Sequence, residues 1–349
     1  MSRILVTGGA GFIGSNVCGY LSNKHEIVAL DNLKRGEILG KNVDQSYNVE
    51  FLKNLKNVKF LKADVRDLKT LKKLCKDVDV IVHTAAQVAV TSSMKKPIED
   101  FEINALGTFN VLEAARQSRN DPALIYCSTN KVYGDNVNKI AVRDMGKRYE
   151  FADKKFENGV PENFLIDHCK HTPYGSSKLS GDIYVQDYGK VYGLKTGVFR
   201  MSCIYGPRQF GVEDQGWVAW FAIATLLNKP VTIYGDGKQV RDVLYVDDLV
   251  RAYELFIESN LKQEVFNMGG GRENTLSLLE LLDLLEDLTG KRSEIRFSGW
   301  RPSDQKVYIS DIKKAKEKLG WDVKINPKDG VSRIVNWMQS NIKLFKHIV

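Results

Sequence analysis

The fold class predicted is α/β, a doubly wound parallel sheet with a smaller C-terminal α/β substrate lobe, and three observations predict it. Up to about residue 200, short β-branched runs alternate with helical segments, a pattern that builds a parallel sheet with helices on both faces. The first strand runs directly into a glycine-rich turn and an apolar helical pattern, RILVTGGAGFIG over 3–14. An aspartate, Asp31, closes the next apolar run. The chain's 349 residues exceed one minimal domain and suit a large α/β unit with an appended lobe.

Taken in order, the predicted strands are 3–7, 26–30, 58–62, 79–83, 123–127 and 195–200, with helices near 12–23, 67–76, 98–118 and 174–192. In the opening turn Gly8 lets the chain leave the strand tightly. Gly11 has no Cβ, so backbone can approach a pyrophosphate, and Gly14 lets the helix pack closely. The helix N-terminus then offers unpaired N–H groups to phosphates. With Asp31 placed to accept hydrogen bonds from an adenosine ribose, this is a Rossmann-type dinucleotide site that favours NAD. Arg35 is near enough to leave NADP open. Ligands of such sheets sit beyond the carboxyl ends of the strands, and Gly8, Asp31, Asp64, Ala85 and Ser128 each follow a strand. Asp64 and Val65 can hold adenine through a side-chain acceptor and an apolar contact, although a lone Asp is as readily a helix cap.

Residues 136–171 are polar and irregular and read as a long insertion, a flap beside the site. Beyond residue 200 all five tryptophans appear, in 201–237 and 270–349. These segments are assigned to a substrate lobe, and 1–200 plus about 238–269 to the dinucleotide domain. Within the latter, Val240–Leu261 reads as a helix and Glu264–Met268 as a strand. Leu276–Leu288 is a leucine-rich amphipathic helix, read as lobe core. Trp217 and Trp220 read as packing residues and His83 as a satisfied structural histidine.

The net charge of +8 is spread along the chain and reads as solvated helix faces with a mild pull on anionic substrates. No basic-aromatic cluster argues for nucleic acid. No apolar run is long enough to cross a bilayer, and no signal-peptide pattern precedes the first strand, so the expectation is a cytoplasmic protein without a membrane partner. The five cysteines form no CxxC pair, which suggests neither metal nor disulfides.

Tyr174 and Lys178 are spaced i, i+4 at a helix start and share a face. As a cation, Lys178 would lower the pKa of the Tyr174 phenol and make phenolate accessible near neutrality. Thr129, from the preceding strand end, can hydrogen-bond the same substrate oxygen. Phenolate, cation and hydroxyl beside a nicotinamide suit removal of an alcohol proton as hydride leaves its carbon.

The Gly8–Gly14 turn, Asp31, His83–Ala86, STNKVYG over 128–134, Tyr174-x-x-x-Lys178 and the RDVLYVDD run over 241–248 resemble the extended short-chain dehydrogenase/reductases, the branch of sugar-nucleotide epimerases and dehydratases. The resemblance spans nearly the whole chain. It implies NAD held by the first domain, a nucleoside-diphosphate sugar held by the second, and catalysis by Thr129, Tyr174 and Lys178. Cofactor contacts are implied for Gly8, Gly11, Phe12, Ile13, Gly14, Asp31, Asn32, Arg35, Asp64, Val65, Ala85, Ala86, Gln87, Asn104, Ser128, Tyr174 and Lys178, the last orienting the nicotinamide ribose. Segments 87–93, 100–104, 205–210, 214–218, 237–242 and 303–306 are most similar to enzymes that epimerise C2 of CDP-linked sugars, with a UDP-glucose 4-epimerase-like enzyme as the alternative. Candidate substrate contacts are Gln87, Thr91, Ser93, Thr129, Asn130, Ser202, Cys203, Gln209, Val218, Tyr234, Gln239, Arg241, Arg301 and Asp304. The two arginines can fork onto diphosphate oxygens, and Asp304 can take a ribose hydroxyl or hold an arginine. His171 is within reach of a sugar. Dehydratases place an Asp-Glu pair where this chain has Asn130 and Lys131, which counts against water elimination. A non-catalytic NAD-binding role fits poorly with the presence of all three catalytic residues. The family also implies a homodimer or homotetramer built on helices near 98–118 and 174–192.

Overall fold

The computed structural model describes residues 1–41, 43–301 and 303–346; the last three positions of the expected second lobe lie outside the described residues. The chain forms two compact units. The first comprises Met1–Val132, Thr172–Arg200 and Val250–Phe266, and the second Tyr133–His171, Met201–Leu249 and the chain from Asn267 onward.

The first unit is built on a seven-stranded parallel sheet. Its strands are β1 (Arg3–Thr7), β2 (Glu26–Asp31), β3 (Val58–Lys62), β4 (Val80–His83), β5 (Ala123–Thr129), β6 (Thr196–Met201) and β7 (Gln263–Met268), in spatial order β7-β6-β5-β4-β1-β2-β3. Ile4, Leu5 and Val6 have no exposed surface, as expected of a central strand covered on both faces. The order reverses between β1 and β4, whose carboxyl ends therefore border the ligand crevice of such sheets.

Four helices matter to the site: α1 (Phe12–Leu21), α2 (Leu68–Cys75), α3 (Gly107–Arg116) and α4 (Pro173–Tyr192). On α2, the Asp67 side chain caps the Thr70 N–H. On α4, Thr172 caps the Gly175 N–H, Pro173 occupies the first turn, and Gly193 closes the helix at φ +75°. One core layer joins Leu5, Val28, Ile81, Leu124 and Tyr126 of the sheet to Leu71, Val111, Leu112, Val185 and Tyr188 of the helices.

The predicted helix at 98–118 proves to be three pieces: Pro97–Phe101, a π-helical turn over Glu102–Leu106, and α3. Helices at Arg35–Leu39, Ser46–Lys53 and Val90–Lys95 were not foreseen; all are too short for a sequence period to register.

In the second unit Val240–Tyr245 is a strand, not the start of the expected helix, which begins at Val246. It pairs parallel with Cys203–Tyr205 and Val307–Tyr308 and antiparallel with Thr275–Ser277. Val231–Tyr234 and Ile295–Ser298 form a separate parallel pair. The leucine-rich helix runs Leu278–Thr289 behind a capping box of Ser277 and Glu280.

The domain expectation is corrected twice. Residues 133–171 and 238–249, expected in the dinucleotide domain, belong to the second unit. The first segment forms a hairpin, Val142–Asp144 with Tyr149–Phe151, whose Val142, Tyr149 and Phe151 pack on Val240, Val307 and Ile309. Scattered apolar residues in a polar stretch thus mark a packed face, and not a flap.

Candidate active site

The turn after β1 is shaped by its glycines. Gly8 sits at φ +70°, and a Cβ there would lie 2.7 Å from the Ala85 nitrogen. At Gly14 a Cβ would lie 2.1 Å from the Gly8 carbonyl oxygen, so the helix start can close on the turn only without a side chain. A Cβ at Gly11 would meet only that same carbonyl, at 3.0 Å, so the turn presents bare backbone on its other side. No side chain caps α1, which begins after Gly11 with half-buried Phe12 and Ile13. This cradle fits a dinucleotide pyrophosphate.

Asp31 is buried and accepts the Ala10 N–H at 3.1 Å and the Leu33 N–H at 2.8 Å. Burial raises its pKa despite these donors. Burial also pushes Arg35 down to about 10, with Asp31 opposing the shift. Asn32 donates to Asp64 at 2.9 Å. Asp64 is more heavily engaged than an adenine acceptor would be. It also accepts the Arg66 backbone N–H at 2.9 Å and a two-pronged contact from the Arg66 guanidinium at 3.0 and 2.8 Å. These four bonds fill a carboxylate's acceptor capacity and, despite partial burial, hold its pKa well below the usual carboxylate range. An adenine amino group would have to displace one donor. Val65 is a core residue that packs on α3 near Gly107.

At the end of β5, Thr129 acts on the Tyr174 phenol and favours its ionised form, so strand end and α4 bear on one group as the motifs require. The Lys178 ammonium lies 4.2 Å from the centre of the Tyr126 ring, a cation–π contact. The expected acidification of the phenol is not what this chain produces alone. Burial drives Tyr174 up to about 12, with Thr129 opposing. Burial also brings Lys178 down to about 8, so the ammonium is itself close to losing its charge near neutral pH.

Several expected ligand contacts are instead internal. Gln87 is buried; its amide donates to the Ala89 carbonyl at 2.8 Å and to Asp100 at 3.0 Å, and its oxygen accepts the Ala89 N–H. Its side chain is therefore unavailable to cofactor or sugar. Ser93, fully buried, donates to the Val90 carbonyl at 2.7 Å and accepts the Tyr174 N–H at 3.1 Å, which ties down the start of α4. Asn104, in the π-helical turn, clamps both backbone groups of Gln87, at 2.9 and 3.0 Å. Ser128 donates to Asp182 at 2.6 Å. Ala85 donates its N–H to Thr7 at 3.3 Å; Ala86 and Thr91 are half-buried, and Asn130 is buried beside Thr129. His83 is a satisfied buried histidine between Thr7 and Thr108, at 2.7 and 3.0 Å, and burial pushes its pKa down to about 3.

Sequence reasoning missed the carboxylates beneath this layer. Asp182 forms a buried pair with Arg200 at 2.9 Å, and Asp100 gathers Gln87, Asn104 and Ser177. Asp100 opens the DFEIN segment and Ser177 precedes Lys178, so both lay inside the motifs that were singled out.

In the second unit Arg301 stacks 3.7 Å from the Tyr234 ring centre, bonds the Glu213 carbonyl and pairs with Asp214 at 3.1 Å. Asp214, not Asp304, is thus its carboxylate partner. Trp300, Arg301 and Asp304 line a cavity of about 530 Å³ with the strip Val137–Val142. Tyr234 donates to Glu213 at 3.0 Å, and Arg241 to the Val240 carbonyl at 2.8 Å. Ser202 donates to the Asp242 carbonyl at 3.1 Å, and Cys203 accepts the Trp217 indole N–H at 3.2 Å. Gln209 and Gln239 are buried, each donating to a backbone carbonyl and each leaving its amide oxygen unpartnered. Val218 and Trp220 are packed in the helix Trp217–Leu226, and His171 lies 3.8 Å from Cys169.

The family model described as "NAD dependent epimerase/dehydratase family" matches residues 4–269. The chain belongs to this family. It is 41% identical to a CDP-paratose 2-epimerase of Salmonella typhi, over 97% of this chain and 99% of that one. Among solved structures, it resembles UDP-glucose 4-epimerase with UDP-glucose from Thermotoga maritima, at TM-score 0.81 and 32% identity, covering 97% and 99% of the two chains. It also resembles UDP-glucuronic acid 4-epimerase from Bacillus cereus in complex with UDP-glucuronic acid and NAD, at TM-score 0.81, 29% identity and the same coverage. The protein is an NAD-dependent nucleotide-sugar epimerase. No helix among the described residues is long and apolar enough to cross a membrane.

Proposed function

We propose that this enzyme inverts C2 of a CDP-linked sugar, CDP-paratose to CDP-tyvelose in type, through a 2-keto sugar. The observation that supports this most is the 41% identity, nearly end to end, with a CDP-paratose 2-epimerase. Bound NAD supplies an acceptor that takes hydride from the sugar carbon and returns it to the other face. Tyr174 takes the proton of the sugar hydroxyl and later gives it back. Thr129 favours the ionised phenol, and Lys178, when charged, does so as a nearby cation. The turn at Gly8, Gly11 and Gly14 holds the pyrophosphate, and Asp31 the adenosine ribose. Arg301, braced by Asp214 and Tyr234, is assigned to the substrate diphosphate with Arg241. The buried amide oxygens of Gln209 and Gln239 favour donor groups of the nucleotide.

A second reading, 4-epimerisation of a UDP-hexose, is favoured by the likeness to the Thermotoga maritima enzyme. Incubation with CDP- and UDP-hexoses, with the product's inverted carbon assigned by NMR, separates the two. Inversion at C2 of CDP-sugars is expected; inversion at C4 of UDP-sugars overturns the proposal. We also assign a homodimer to helices α3 and α4 and the turns before α3. Ile98, Phe101, Leu106, Ile183, Tyr184 and Tyr192 are all exposed there, an apolar surface suited to a second copy. Light scattering at micromolar concentration is expected to give at least twice the chain mass; a monomer overturns this assignment.

A further inference from the structure

Beneath the catalytic pair lies a carboxylate that the reaction itself does not use. Asp100, 1% exposed, sits on the turn Pro97–Phe101, which packs on α4. It accepts three hydrogen bonds: from the Ser177 hydroxyl at 2.5 Å, the Gln87 amide at 3.0 Å and the Asn104 amide at 3.2 Å. All three donors are neutral. Among the described residues no lysine or arginine forms an ion pair with Asp100, whereas the neighbouring buried carboxylate, Asp182, is matched by Arg200. A buried carboxylate without a cationic partner is costly and depends on the hydrogen bonds it accepts.

The donors point to where it is used. Ser177 directly precedes Lys178 and also donates to the Tyr174 carbonyl at 3.1 Å. Asn104 reaches Ser177 at 3.1 Å as well. Gln87 and Asn104 lock the strand end after β4 to the same carboxylate. One buried group thus ties the chain beyond β4, the π-helical turn and the first turns of α4.

We propose that Asp100 is a positioning residue for the catalytic pair: through Ser177 it fixes the turn bearing Tyr174 and Lys178, and its unmatched charge keeps Lys178 an ammonium. Every other charged or titratable group facing this pair can be named. Cys127 projects from β5, a buried thiol whose own pKa is pushed up to about 11. Asp182 lies one turn along α4 but is neutralised by Arg200. His83 of β4 is neutral above about pH 3, and Tyr126 beneath Lys178 is buried with its pKa raised. Asp100 is the one carboxylate of these without an ion-pair partner; burial raises its own pKa, opposed by the Ser177 bond and by the Lys178 charge. It opposes the burial that drives Lys178 down to about 8.

The test follows the Lys178 side chain in protein labelled with ¹³C at lysine Cε, the signal assigned by its loss in Lys178→Arg. In Asp100→Asn the shape of the site is kept and the charge removed, so the Lys178 titration midpoint is expected to fall by about half a pH unit or more. Asp100→Glu, which keeps the charge, is expected to restore most of it. An unmoved midpoint in a folded Asp100→Asn protein overturns the proposal. Should that variant fail to fold, Ser177→Ala decides, since it removes the tether and keeps the charge. Its kcat is expected to fall about tenfold with KM little changed, and wild-type kcat overturns the proposal. The titration needs no sugar, so it stands or falls independently of the proposed substrate.

Discussion

The buried pair behind the active site gives the most quantitative prediction, and Asp182→Ala is the perturbation. Asp182 has no exposed surface and accepts four hydrogen bonds: Ser128 at 2.6 Å, Gln186 at 2.7 Å and the Arg200 guanidinium at 2.9 and 3.0 Å. The Arg200 side chain is only 4% exposed, so truncation removes the carboxylate from a guanidinium that water cannot reach. Removing one member of such a pair costs about 3–5 kcal/mol. Against a typical total of about 5–15 kcal/mol, that is roughly a fifth or more of the stability. The exposed pair of Arg116 and Glu113, at 2.8 Å, is the control, and Arg116→Ala should cost no more than about 1 kcal/mol. Replacing both buried partners, as in Asp182→Leu with Arg200→Met, should recover much of the loss because no charge is then left unpaired. Urea unfolding followed by circular dichroism measures all three. A loss below about 1 kcal/mol in Asp182→Ala would refute the reasoning.

Further predictions concern the cofactor turn, the phenol and acid stability. Gly14→Ala places a Cβ 2.1 Å from the Gly8 carbonyl; the purified protein is expected to release well under one NAD per chain on denaturation, and a full complement would contradict the account of the turn. Tyr174→Phe should lower turnover by about 10²–10⁴-fold while NAD stays bound; undiminished turnover excludes Tyr174 as the acid/base. His83 binds a proton in the unfolded chain near pH 6.5 but in the folded one only near pH 3. Its stabilisation is therefore complete above about pH 6.5 and is lost as pH falls from there towards 3. His83→Gln should flatten this part of the stability curve, and a slope equal to wild type would contradict the burial argument.

The sequence was legible where one residue type answers one local demand. Gly8 and Gly14 could be read because a positive φ and a 2.1 Å approach admit nothing else. Strands β1, β2, β4 and β5 stood out because buried parallel strands read as apolar runs. That Tyr174 and Lys178 share a helix start and Thr129 ends the preceding strand could be read from spacing and order. What escaped depends on where side chains turn. Gln87 sits in the loop after β4 and Ser93 in the short helix Val90–Lys95 that follows, yet both side chains bond nearby backbone. Nothing in their spacing reveals that. Asp64 looked like a free acceptor because Arg66, two residues on, shows no periodic signature. The segment 133–171 was misassigned because its apolar residues are spaced to meet a β-hairpin partner and not to form a run. What raises the Tyr174 phenol is burial, which a one-dimensional pattern does not show.

The most direct test of the central claim uses a CDP-sugar carrying deuterium at C2. The account predicts a product inverted at C2 that keeps its deuterium, since the same hydride leaves and returns, and no such product from Tyr174→Phe. Deuterium lost to water, or inversion at another carbon, would contradict it.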